Sequence, residues 1–123
     1  MLLALACASL GAASRARAEE VSKADWMRLM RTSVPVLFCK PGMYFRECYR
    51  VSAEECERTA SSATRVCLED MASQLPERLV PSTEGRAWGE KVGKCAGTTF
   101  AAALDGKRID SSRCKDPSAW VPK

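Results

Sequence analysis

Seven cysteines and no histidine stand in a chain of 123 residues, and this combination constrains the fold more than any other feature. Cys7 lies in an apolar run at the N-terminus; the others are Cys39, Cys48, Cys56, Cys67, Cys95 and Cys114. An even set of six in a short exported chain forms a disulfide framework, because oxidising compartments let thiols pair and a small core needs the cross-links. The gaps of 8, 7, 10, 27 and 18 residues contain no Cys-x-x-Cys pair. A zinc site is therefore disfavoured, and the reading includes no metal and no cofactor.

Export is suggested by the first eighteen residues. Residues 2–13 are uncharged and mostly apolar, and Ala16-Arg17-Ala18 places small residues where a signal peptidase needs them. The run is too short to span a hydrocarbon layer of roughly 30 Å, so a cleaved signal peptide over 1–18 is expected rather than a membrane anchor. A cut after Ala13 is the alternative. A lipid anchor at Cys7 is disfavoured, because almost no hydrophobic run precedes that cysteine. The mature part, 19–123, then reads as a single disulfide-rich helical domain, periplasmic or extracellular.

Its periodicity is helical. Ser22 is a suitable N-cap for a helix within residues 19–31, with Asp25 completing a capping pattern and Trp26, Met27, Leu29 and Met30 forming the apolar side. The apolar run 34–39, closed by Pro41-Gly42, is buried whichever state it takes, with a short helix favoured. Residues 43–51 fit another short helix with an aromatic face. Ser52 and Glu55 form a capping box, with the carboxylate expected to reach back to the Ser52 amide. The following helix carries Cys56, Ala60, Ala63, Cys67, Met71 and Leu75 along one face, and Pro76 closes it. A second long helix starts after Ser82 or Thr83 and runs to about Leu104, where Gly106 suits a left-handed cap. The expected fold is mainly α, about four helices, with an antiparallel pair 53–75 and 83–104 at its centre.

The pattern limits the disulfide map. Cys56 and Cys67 lie roughly 16 Å apart along one helix, whereas a disulfide needs Cα atoms within about 7 Å. Cys67 is expected to meet Cys95 across the intervening turn. Three pairings remain for the other four, with a local Cys39–Cys48 link favoured. The second helix also carries Gly85, Gly89, Gly93 and Gly97 at intervals of four. Each interior glycine costs a helix about 1 kcal/mol against alanine, so a compensating close helix approach is expected along this stripe. Self-association or membrane insertion is the functional alternative, and a partly irregular segment over 85–97 a third.

Function is bounded mainly by exclusion. Without histidine, Ser-His-Asp and Cys-His nucleophile systems are impossible, and paired cysteines remove thiolate catalysis. No phosphate-binding loop is present. Past the leader, 17 basic residues face 15 acidic ones without a cluster, so no nucleic-acid partner is expected. Carboxylate pairs such as Glu54/Glu57 fall on polar helix faces. The chain is therefore read as no enzyme. The segment with Tyr44, Phe45, Arg46, Tyr49 and Arg50 is the candidate binding surface, since tyrosine and arginine are enriched at interface hot spots. The same residues could instead form a small core beneath a disulfide. The leading expectation is an exported module that binds an unidentified protein, of inhibitor, immunity or accessory type. The alternative is a carrier of a small apolar ligand or lipid in a helical cup. Small periplasmic immunity and inhibitor proteins look similar in general build only, and no motif carries the likeness.

Overall fold

The computed structural model describes residues 19–120. The expected leader, its cleavage point and Cys7 lie outside the described residues. Among the described residues four α-helices make the protein mainly helical, and three disulfides cross-link it.

Helix α1 (Lys23–Phe38) starts where the Ser22 hydroxyl accepts the Asp25 N–H at 3.1 Å. Ahead of it, Val21 and Ser22 (β1) pair antiparallel with Arg78 and Leu79 (β2), so the chain before Ser22 is extended rather than helical. The helix does not stop at Arg31 but continues through Pro35, absorbing the apolar run 34–38. Proline removes one backbone donor, leaving the Arg31 carbonyl without its usual partner. Arg31 is exposed, so water can serve that carbonyl, while the Pro35 ring is buried beside Val34 and Phe38.

The Pro41-Gly42 turn reverses the chain; Gly42, with φ of +87°, is the one left-handed residue among those described. The expected helix over 43–51 is only the short α2 (Tyr44–Glu47). Residues 48–50 are instead drawn out against the tail: Tyr49 bridges Arg108, Arg50 N–H donates to the Lys107 carbonyl and Ile109 N–H to that of Cys48, both at 2.8 Å.

Helix α3 (Ala53–Met71) is capped as expected by Ser52, whose hydroxyl accepts the Glu55 N–H at 3.1 Å. The reciprocal half of the box is replaced, because the Glu55 carboxylate pairs with Lys107 of the tail. One further turn brings the chain to Leu75. Cys56, Ala60, Ala63, Cys67 and Leu75 are buried, joined by Thr64 and Leu68. Thr64 avoids an unsatisfied hydroxyl by donating to the Ala60 carbonyl at 2.7 Å. Helix α4 (Glu84–Ala103) lacks a side-chain cap bond at Thr83; Glu84 instead accepts the Val80 N–H at 2.8 Å. Gly106 is not left-handed, and α4 passes into a 3₁₀ turn at Asp105–Lys107, correcting the expected cap.

α3 lies between α1 and α4, and all three bury side chains in one core. Cys67 joins Cys95, with Cα atoms 5.9 Å apart. The local Cys39–Cys48 link does not form: Cys39 joins Cys56 and Cys48 joins Cys114. The reason is geometric. Antiparallel packing sets the C-terminal end of α1 against the start of α3, while the bridge at Tyr49 and its two flanking hydrogen bonds hold residues 48–50 against the tail that carries Cys114. Each closure stabilises by about 3–4 kcal/mol in the chain-entropy description.

Candidate binding groove

The end of the molecule where α1, α2, α4 and the tail meet is built from aromatic rings. Phe100 of α4 is fully buried and anchors them, with ring centroids 5.0 Å from Phe45, 5.2 Å from Tyr49 and 6.4 Å from Phe38. Phe45 stacks on Phe38 at 4.3 Å. Gly97 permits this arrangement, because a Cβ there would sit 3.0 Å from Cζ of Phe45. Gly85 does the same for Trp26 at the other end of α4, at 3.1 Å from Nε1. Gly89 merely reaches Met30, and Gly93 faces open space. The glycine stripe thus receives two aromatic side chains at its ends rather than a helix along its length.

Outside this packed layer the rings leave a groove of about 630 Å³. It is lined by Leu37 and Phe38 from α1, Met43, Tyr44 and Phe45 from the start of α2, Lys94 from α4, and Pro117 and Trp120 from the tail. Trp120 is positioned by its own tail. Its indole N–H donates to the Arg113 carbonyl at 3.0 Å, the Arg113 guanidinium lies 3.9 Å from the ring centroid, and the Tyr44 ring packs against it edge to face with centroids 5.9 Å apart. The Cys48–Cys114 bridge ties that tail to the body. Burial, with the Tyr44 hydroxyl beside it, pushes the Tyr49 phenol up to about 12, so it stays neutral in ordinary media.

The five residues singled out from sequence are therefore divided. Tyr44 and Phe45 line the groove. Tyr49 lies beneath it, 3% exposed. Arg46 turns away and donates to the Val51 carbonyl at 2.8 Å. Arg50 is exposed in the segment held against the tail and does not line the groove. Sequence reasoning missed Leu37, Phe38, Met43, Lys94, Pro117 and Trp120 in this role. A signal existed for Leu37: in an unbroken apolar run on one helix, only one face can be buried. Val34, Pro35 and Phe38 take the inward positions, leaving Val36 and Leu37 64% and 55% exposed.

Comparison with known proteins decides the family. The model for T2SS substrate NttA, a type II secretion substrate family, matches residues 20–115, well over half of the chain. The chain belongs to the NttA family. The protein is accordingly an exported one, as its three disulfides also indicate. It matches no curated protein and no solved structure. Among the described residues no helix is long and apolar enough to cross a membrane.

Proposed function

We propose that this NttA-family chain is a non-enzymatic binding module that leaves the cell behind a cleaved leader and engages a protein partner through the aromatic groove. The family match begins at residue 20, just past the cut expected after Ala18, which supports the leader. The observation that carries the binding role is the groove itself: an apolar surface of tryptophan, tyrosine and phenylalanine left open beside exposed Leu37. Exposed contiguous apolar surface is unfavourable in water and is retained where something covers it. Rings held by neighbours and by three disulfides lose little freedom on binding, so more of the contact energy becomes affinity.

The carrier reading is weaker because the interior is filled. Trp26, Leu68, Phe100 and the cystine sulfurs occupy the space between helices, and the concavity opens at the surface. The test is purification of tagged protein from its native exported fraction, alongside Leu37→Asp. A stoichiometric protein partner should accompany the wild type and be lost from the variant while circular dichroism stays unchanged. Organic extraction and mass spectrometry of the same material completes it. Stoichiometric bound lipid without a protein partner would replace this reading with the carrier.

A further inference from the structure

The groove does not end at Leu37. On α1 the same residue also lines a second hollow of about 560 Å³ with Thr32, Ser33, Val36 and Lys40. Leu29, 52% exposed, lies on the same face, so Leu29, Ser33, Val36 and Leu37 follow the i, i+4, i+7, i+8 spacing of a helix-packing seam, and Lys40, two residues past the end of the helix, lines the hollow beside it. No element among the described residues covers this seam. From Leu29 to Leu37 it runs about 12 Å, and the aromatic groove extends it further.

Charge along this continuous surface has one sign. The charged residues lining the two hollows are Lys40 and Lys94, and neither has an ion-pair partner among the described residues. Arg113 adds a third cation beside Trp120. The nearby acids are turned onto the backbone: Glu47 accepts the Gly42 N–H at 2.8 Å and Asp116 the Ser118 N–H at 3.1 Å. A second copy of the chain is a poor occupant, because a two-fold contact through this face would bring its unpaired lysines together and bury them.

Resting on the protein-binding reading above, we infer that the partner presents an acidic amphipathic helix. Its apolar residues would fill the Leu37–Trp120 groove and the α1 seam, and its carboxylates would meet Lys40 and Lys94. A helix laid along a groove in this way is a recurrent recognition mode, with anchors at i, i+3, i+4 and i+7. Complementary rim charge selects among such helices and hastens their encounter.

Selection from a phage-displayed random peptide library, on the oxidised full mature chain, tests this. Peptides enriched on the wild type should combine aliphatic or aromatic residues at helical spacing with Asp or Glu. A synthetic peptide of that consensus, followed by fluorescence polarisation, should bind roughly tenfold more weakly to Lys94→Glu, with Lys40→Glu adding to the loss. Leu37→Asp should lower affinity by at least about tenfold. Selection on the Lys94→Glu, Lys40→Glu variant should enrich lysine and arginine instead. A consensus without acids, or affinity indifferent to both lysines, overturns the acidic helix while leaving the groove as a binding site. Peptides whose binding ignores Leu37→Asp and Trp120→Ala, or no enrichment at all, overturn both. Sedimentation showing a wild-type dimer that Leu37→Asp dissolves overturns the inference in favour of a second copy.

Discussion

Gly93 and Gly97 lie one turn apart on α4, yet a methyl group added to each meets different surroundings. At Gly93 nothing lies within 4 Å, so Gly93→Ala should gain the helix propensity of alanine, about 1 kcal/mol. Thermal unfolding should then shift upward by about 4–8 °C. At Gly97 the new carbon would press on Phe45, which cannot retreat because Phe38 stacks on it at 4.3 Å and Phe100 meets its edge. Overpacking of this kind costs about 1–3 kcal/mol, more than the propensity returns, so Gly97→Ala should lower the midpoint. Equal upward shifts for both variants would show that Phe45 moves freely. Tyr49 supplies a pH signature in the same cluster. Burial, then Tyr44, raise its phenol to about 12 against an ordinary 10, so the folded chain holds the proton more tightly than the unfolded one. The stability this represents is fully present below about pH 10 and disappears as pH climbs to about 12. Urea denaturation across that window should show a decline that Tyr49→Phe removes. A variant declining as steeply as the wild type would place the titration elsewhere.

At the level of elements, the parts written as local periodicity were legible, and those written as long-range pairing were not. The α3 stripe and the Ser22 and Ser52 caps depend on residues within a few turns, and the structure carries each of them. So does the meeting of Cys67 and Cys95, which followed from two helices joined by one turn. The end of α1 was misjudged because Pro35 signals a break locally, while its burial beside Val34 and Phe38 is a tertiary gain. Residues 48–50 were misjudged because their partner, the 107–109 segment, is remote and has little strand character of its own. The groove was half legible for the same reason: Tyr44 and Phe45 sit in one aromatic cluster, but Lys94 and Trp120 reach it only through the fold. The Cys48–Cys114 staple, spanning 66 positions, is what delivers the tail. Replacing both cysteines by alanine should cost about 4 kcal/mol. It should also loosen the tail backbone and so speed trypsin cleavage after Arg113 and Lys115, whose side chains are already exposed. The Cys39→Ala, Cys56→Ala pair should leave those two sites protected, because it does not touch the tail. Equal tail cleavage in both variants would mean that the 48–50 pairing, not the bridge, holds it.

For the molecule as a whole, the three bridges differ in what surrounds them, and this orders their loss. Five of the paired cysteines are buried, with Cys48, Cys56 and Cys67 at 0% exposure; Cys95 is only partly covered. A reducing thiolate must reach a sulfur, so the Cys67–Cys95 bridge should open first under mild reductant. Its loss relaxes the pairing of α3 with α4 but leaves both staples of the aromatic end, Cys39–Cys56 and Cys48–Cys114, in place. Stepwise reduction with alkylation and peptide mass mapping should therefore yield an intermediate labelled only at Cys67 and Cys95, still helical and still protected at its tail. Full reduction removes roughly 10 kcal/mol of closure stabilisation, comparable to the entire stability of a domain this size. Far-ultraviolet dichroism should collapse at that second stage rather than the first. Labels appearing on all six cysteines together, with no intermediate, would show that the bridges stand or fall as one cooperative unit. The aromatic end would then depend on the α3–α4 bridge as much as on its own.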